Sequence, residues 1–294
     1  MTDEIQNNKF AFFGTDEFSI KILDTLKLKG LLPKLIVTVP DQPRGRKMVM
    51  TPPPAKVWAE QNNIPVIQPA SLKNLDADHY QRLNSDFVFF LVASYGKIIP
   101  QSILDLPKKN TLNVHPSLLP KYRGATPLES SILAGEETTG VTIIVLDALM
   151  DHGPILAQRE ISVSQWKPFY EELRDKLAEE GANLLIEFLP SYLADKIKPG
   201  DQDHNSATLT KKISKEDGRL NFNDKPELNF RKIRALTPWP GAYFFIKHGD
   251  RNDFRIIIKK ARLENDELII ERVLPEGKKE IDWESFKKGY LNQN

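Results

Sequence analysis

Apolar positions in the first part of the chain come in short dense blocks. "KFAFFG" (Lys9–Gly14), "KLIVTVP" (Lys34–Pro40), "IPVIQP" (Ile64–Pro69), "DFVFFLVA" (Asp86–Ala93) and "TLNVHP" (Thr111–Pro116) are apolar on almost every position. Between them the apolar positions fall at helical spacing. Phe18, Ile22, Leu23 and Leu26 share one face, and similar patterns recur around Ala55–Asn62, Ala77–Leu83 and Pro127–Leu133. A strand that is apolar on both faces must be covered on both faces. Such strands alternating with helices predict a parallel sheet between two helical layers. The expected class is α/β, a doubly wound and mostly parallel sheet.

The pattern then changes. "GVTIIVLD" and "GPILAQREISV" are two strand-like runs joined by "ALMDH". A helical pattern follows, with Phe169, Leu173, Leu177, Leu184, Leu185, Phe188 and Leu189 on one face. It ends near "IKPGDQDHNSAT", whose Pro, Gly, Asp, Asn and Ser content predicts a linker. Beyond it, "GAYFFIKHGD", "DFRIIIKKARL" and "DELIIERVLPEG" alternate short strands with turns. These predict a small all-β barrel domain, OB-like. The expected organisation is an α/β domain over 1–198 with a basic loop near 40–50, a linker over 199–208, and the β domain over 209–294.

Composition narrows the chemistry. The chain has 294 residues and no cysteine. Disulfides, thiolate metal sites and a cysteine nucleophile are therefore excluded. "MTDEIQNNKF" lacks a basic segment followed by an apolar one, so no signal or transit peptide is expected. No run of about 18 apolar residues occurs, which argues against a membrane span and for the cytoplasm. The net charge of +1 hides an asymmetry: from Asn205 onward there are 19 Lys and Arg against 14 Asp and Glu, with 22 against 26 in the rest. A basic tail suits a polyanion, since neutralised phosphates release counterions. A solvated charged surface would give the same count.

In a doubly wound sheet, ligands bind at the carboxyl ends of strands. Asn113 and His115 occupy such an end, two residues apart, so in an extended chain both side chains leave one face. An amide offers N–H donors to a developing oxyanion. An imidazole donates or exchanges a proton near neutral pH. A structural pair at a strand end would read the same way. The scarcity of histidine, five in all, and the position favour chemistry. In "DALMDHGPIL", Asp151 is the candidate carboxylate partner for His115, with Gly153 allowing a tight loop, and Asp147 is its rival.

"NVHPSLLPKYRGATP" followed by "GVTIIVLDALMDHGPIL" resembles the folate-dependent formyltransferases, which carry an Asn-x-His…Asp triad of this form. "FFGTDEFS", "VPDQPRGRKMVMTPPPAKVWAEQNNIPVIQP", "VASYGKIIP", "KKISKEDGRLNF" and "IRALTPWPGAYF" extend the resemblance, in order, over nearly the whole chain, and toward the members that act on a charged tRNA. The resemblance implies formyl transfer from 10-formyltetrahydrofolate to the α-amine of methionine on initiator methionyl-tRNA. It implies Asn113, His115 and Asp151 as the catalytic residues. It places Ser117, Leu118, Leu119 and Pro120 on the folate side of a cleft. Tyr95, Gly96, Lys97, Ile98 and Ile99 would form the pterin slot with the loop from Asp147 to Met150, largely by backbone groups. Tyr122, Arg123 and Gly124 would shape the loop beyond the triad.

Arg44, Arg46 and Lys47 of the basic loop, with Lys211, Lys212, Arg231, Lys232 and Arg234, are the implied tRNA contacts. Phosphates and stacked bases are what such side chains meet. Trp239 in "TPWPGA" is read as a packing residue. No metal motif is present; "GDQDHN" has suitable letters but lies in the linker stretch. "FFGTDEFS" lacks dinucleotide glycine spacing. The protein is expected to be a monomer without membrane partners. Two rivals use the same donor: a formyltransferase acting on an amino-sugar nucleotide, and a formyl-folate hydrolase. A third is a noncatalytic RNA-binding protein.

Overall fold

Phe10, Ala11, Phe12 and Phe13 have no exposed surface. A strand apolar on both faces belongs in the middle of a sheet. In the computed structural model, which describes residues 9–45, 48–249 and 251–291, this strand is β1 (Phe10–Gly14). The chain continues through α1 (Glu17–Leu28), β2 (Leu35–Val37), β3 (Gln42–Arg44), β4 (Val49–Thr51), α2 (Pro54–Gln61), β5 (Val66–Ile67), α3 (Ala77–Leu83), β6 (Phe89–Ala93) and α4 (Gln101–Leu104). Then come β7 (Thr111–His115), α5 (Pro127–Ala134), β8 (Thr138–Val145), β9 (Ile155–Ser162) and α6 (Tyr170–Leu193).

Seven strands form one sheet in the order β5-β2-β1-β6-β7-β8-β9. β5, β2, β1, β6 and β7 pair in parallel. β8 is antiparallel to β7, with His115 opposite Thr142. This is the expected mostly parallel α/β sheet. The chain builds from β1 outward to β5, then crosses to the other side of β1 for β6 and β7. The order therefore reverses between β1 and β6, and β7, with Asn113 and His115, stands one strand from the reversal.

Polar side chains tie those strand ends together. Ser19, fully buried, donates to the Ala93 carbonyl at 2.7 Å and accepts from the Thr15 amide at 2.9 Å. Thr15 donates to the Tyr95 carbonyl at 2.9 Å. Asp16 caps α1 by accepting from the amides of Phe18 and Ser19. On β7, the helix α6 comes close because Gly181 has no side chain: a Cβ there would stand 2.5 Å from Cγ1 of Val114.

The chain forms two compact units. The first comprises the residues up to Ala125, Gly140–Ile161 and Arg174–Leu209; the second comprises Thr126–Thr139, Ser162–Leu173 and the residues from Thr210. The second holds α7 (Pro226–Leu236), β10 (Tyr243–His248), β11 (Arg251–Glu264), β12 (Glu267–Pro275), β13 (Ile281–Asp282) and α8 (Trp283–Phe286). Its four strands are antiparallel, in the order β10-β11-β12-β13. Ile233, Ala242, Ile256, Ile258, Val273 and Phe286 form its buried core. This is the small β domain read from the turn-punctuated runs. The helix α7 was not read; Pro226 at its first turn and buried Phe230, Ile233 and Leu236 are its signals. Trp239, read as a packing residue, is 58% exposed in the turn between α7 and β10.

Candidate active site

β7 delivers Asn113 and His115 to one side, as the strand period requires, and both are buried. The loop after β8 delivers Asp151. It can do so because Asp151 adopts a left-handed backbone, φ 49°, and because Gly153 lets the loop fold against β8. A Cβ at Gly153 would lie 1.8 Å from the Val145 carbonyl oxygen. The three side chains meet. Oδ1 of Asp151 is 3.6 Å from His115 Nδ1 and 3.4 Å from Asn113 Nδ2. Its other oxygen accepts from the Gly124 amide at 2.8 Å.

His115 Nε2 lies 2.9 Å from the Tyr122 carbonyl oxygen. A carbonyl only accepts, so this ring nitrogen carries hydrogen. The neutral ring then turns a bare Nδ1 toward Asp151, and the charged ring turns an N–H toward it. Asn113 is only loosely engaged at 3.4 Å, beyond the usual N–H···O range. Its amide therefore has donor capacity to spare. The arrangement is a buried amide and imidazole beside one carboxylate, suited to a carbonyl oxygen gaining negative charge.

Asp147, the rival acid, is otherwise occupied: its carboxylate accepts from the Leu149 amide at 2.9 Å and pairs with His152 Nδ1 at 2.7 Å. It remains at the mouth of the loop, where Leu149 and Met150 are exposed. Around β6, Gly96 takes a positive φ of 77°. Lys97 donates to the carbonyls of Pro69 and Ala70. Ile98 is 76% exposed and Ile99 partly buried. The Tyr95 ring is buried against Phe13, and burial pushes its phenol up. Only backbone atoms of Tyr95 can meet a ligand here.

Two of the four residues Ser117 to Pro120 need correction. Ser117 is fully buried, its hydroxyl donating to the Lys121 carbonyl, and Leu119 is 3% exposed. Neither offers a surface to a ligand; Leu118 and Pro120 keep partial exposure.

Of the basic candidates, Arg44 ends the β3 strand, which pairs with β4 as a hairpin. Arg46 and Lys47 lie outside the described residues. Lys211 and Lys212 are exposed, and Arg231 and Lys232 partly so. Arg231 pairs with Glu227 at 3.0 Å and Lys232 donates to the Arg219 carbonyl. Arg234 is corrected. It is 5% exposed, stands over the Phe230 ring and donates to the Pro168 carbonyl. Desolvation lowers its pKa. A guanidinium so enclosed has no face for RNA.

The stretch read as a linker is bonded into the first unit. Gly200 and Ile155 exchange backbone hydrogen bonds at 2.7 and 2.8 Å. Gln202, 5% exposed, donates to the carbonyls of Asp151 and Gly153 at 2.9 and 2.7 Å. The sequence reading missed Gln202 and His204. A glutamine and a histidine inside a polar run carry no periodic signal.

The family model described as "Formyl transferase" matches residues 8–189, and that described as "Formyl transferase, C-terminal domain" matches 212–269. The methionyl-tRNA formyltransferase of Chloroflexus aurantiacus is 42% identical over 238 residues, covering 81% of this chain and 76% of that one. Among solved structures, the methionyl-tRNA formyltransferase of Clostridium thermocellum superposes with a TM-score of 0.61 at 19% identity, covering 91% of this chain and 98% of that one. The sugar 3N-formyl transferase WlaRD, solved with dTdp and 5-N-formyl-THF, gives 0.61 at 17%, covering 91% and 93%. At those identities the two structures show the fold alone. The matched family models, spanning most of the chain, and the 42% identity together show that the chain belongs to the formyl transferase family.

Proposed function

We propose that the protein transfers the formyl group of 10-formyltetrahydrofolate to the α-amine of methionine on initiator methionyl-tRNA, giving the N-formylated tRNA used to start translation. The observation that carries this is the meeting of Asn113, His115 and Asp151 at the end of β7, in a chain close in sequence to an enzyme of that name.

The neutral amine attacks the formyl carbon. A C–N bond forms, the carbonyl π pair moves to oxygen, and a tetrahedral intermediate carries the negative charge. Asn113 donates a free amide hydrogen to that oxygen. The Nε2–H of His115 rests on the Tyr122 carbonyl. An oxyanion accepts more strongly than a peptide carbonyl, so growing charge draws that hydrogen bond to itself. Collapse breaks the bond to the folate nitrogen, which gains a proton as the amine loses one. Asp151 and His115 are the groups placed to pass it. Loss of one such donor costs about 3 kcal/mol in the transition state.

The backbone from Tyr95 to Ile99, the loop from Asp147 to Met150, and Leu118 with Pro120 hold the folate. The exposed apolar surfaces of Ile98, Leu149 and Met150 suit a flat ring system with polar edges. The first unit, with the 199–209 stretch bonded into it, is the catalytic part, and the residues from Thr210 are the tRNA-binding part. Lys211, Lys212 and the basic loop with Arg44, Arg46 and Lys47 meet the RNA. A tRNA acceptor implies a cytoplasmic enzyme.

The test is formyl transfer from 10-formyltetrahydrofolate to charged initiator tRNA and to an amino-sugar nucleotide in parallel, with released formate measured without acceptor. Transfer to the tRNA is expected. Transfer to the sugar alone, or formate release alone, overturns the reading.

A further inference from the structure

Two arms of the first unit fix the triad. The 122–124 turn supplies the carbonyl of Tyr122 to His115 Nε2 and the amide of Gly124 to Asp151. The 151–153 loop supplies Asp151 itself. Arg123 lies between the two residues of the turn that touch the triad. It is 6% exposed, and its guanidinium donates twice to Gln202 Oε1, at 3.1 and 2.6 Å. The amide nitrogen of Gln202 then donates to both carbonyls that flank His152, those of Asp151 and Gly153. A buried arginine and a buried glutamine thus form a crossbar between the arms.

The crossbar is braced at its ends. Thr208 accepts from the Arg123 amide with its carbonyl and from the Tyr122 amide with its hydroxyl, both at 2.8 Å. The Arg123 Nη2 lies 2.9 Å from His204 Nδ1. A guanidinium only donates, so that nitrogen of His204 accepts. The His204 ring stacks on His152 at 4.1 Å with planes 2° apart. His152 in turn pairs with Asp147.

We propose that Gln202 and His204 are positioning residues of the active site: through Arg123 they hold Asp151 in its left-handed backbone and keep it in register with His115. The proposal rests on the formyl-transfer reading for its assay. Asp151 sits in the left-handed region at φ 49°, which aspartate enters more readily than most non-glycine residues and which its surroundings here enforce. The hydrogen bonds to its own carbonyl and to that of Gly153 do the enforcing. None of these residues need touch substrate for the effect.

The main test is Gln202→Glu. A glutamate still accepts from Arg123 but cannot donate to the two carbonyls. Misplacement of a reacting group by an ångström is worth up to about 100-fold. The expected result is a kcat about 10- to 100-fold lower, with KM for the folate donor and for tRNA within about twofold, the pattern of an interaction realised only in the transition state. His204→Phe, which keeps a stacking ring but removes the acceptor, lowers kcat by a smaller factor. His204→Asn, which restores an acceptor near the Nδ1 position, retains more kcat than His204→Phe.

A wild-type kcat in Gln202→Glu, or a loss confined to KM, overturns the proposal. If that variant does not fold, the ordering of His204→Phe below His204→Asn decides, and equal values for the two overturn it. Should the wild type transfer formyl to no acceptor, the functional reading falls instead. Amide exchange then decides the positioning claim: faster exchange across 147–153 in the variants supports it, and unchanged exchange overturns it.

Discussion

His115 has committed its Nε2–H to the Tyr122 carbonyl before any substrate arrives. That sets the hydrogen on one ring nitrogen and leaves Nδ1 to face Asp151 at 3.6 Å. Nitrogen-15 NMR of the free protein should show Nε2 as the protonated nitrogen of the neutral ring; a neutral ring carrying its hydrogen on Nδ1 would contradict the geometry. The pair Asn113 and His115 was legible in the sequence because a strand places alternate residues on one face, and "TLNVHP" reads as a strand. Asp151 was legible only as one of two acids. Asp147 is separated from it by contacts no spacing reveals: its carboxylate is taken by the Leu149 amide and His152. Arg234 misled because charge in a sequence does not report burial, and this guanidinium is folded onto Phe230.

The loop that brings Asp151 to the site depends on β8 as a platform. Gly153→Ala puts a Cβ where Val145 has its carbonyl oxygen, so the loop must move. The expected outcome is a kcat lowered about 100-fold, since a shift near an ångström costs that much, and the check is steady-state kinetics beside a melting curve. A second link is the charge cluster between β9 and α6. Arg159 pairs with Glu180 at 2.9 Å and with Glu187, and Lys176 pairs with Glu180 at 2.8 Å. Lys176 first, and then Arg159, hold the Glu180 carboxyl below the ordinary glutamate range. A depressed folded value gives stability that is fully present above the unfolded pKa and is lost as pH falls through the folded one. Glu180→Gln should therefore lower Tm at pH 7, with the loss shrinking as pH falls through the folded pKa of Glu180; a loss independent of pH would contradict this. β1, β2, β6 and β7 were legible because they are buried on both faces. The β3–β4 hairpin was not: its strands are three residues long, with Val49 and Met50 exposed, so no apolar period marks them. α7 went unread although Pro226 marks its first turn, because buried Asn229 and Arg234 interrupt the apolar stripe of its inner face.

The whole chain is nearly neutral, yet the residues from Asn205 onward carry a basic excess of 19 against 14. Exposed Lys211 and Lys212 sit where that excess begins. Each phosphate contact contributes a slope of roughly 0.7 to 0.9 in log K against log salt. The double variant Lys211→Ala, Lys212→Ala should weaken tRNA binding and flatten that slope, with the rate at saturating tRNA retained; an unchanged slope would remove both from the interface. No helix among the described residues is long and apolar enough to cross a membrane. The division of labour we propose is a sheet with the candidate catalytic residues on β7 and in the loop after β8, and a basic β unit as the RNA-binding part. The most direct measurement is the single-turnover rate of formyl transfer by His115→Ala, with charged initiator tRNA in saturating amounts and its affinity measured on the same protein. The account predicts a rate lower by about 10²- to 10³-fold, the usual cost of one oxyanion donor, with tRNA affinity unaltered. A wild-type rate in that variant would contradict it.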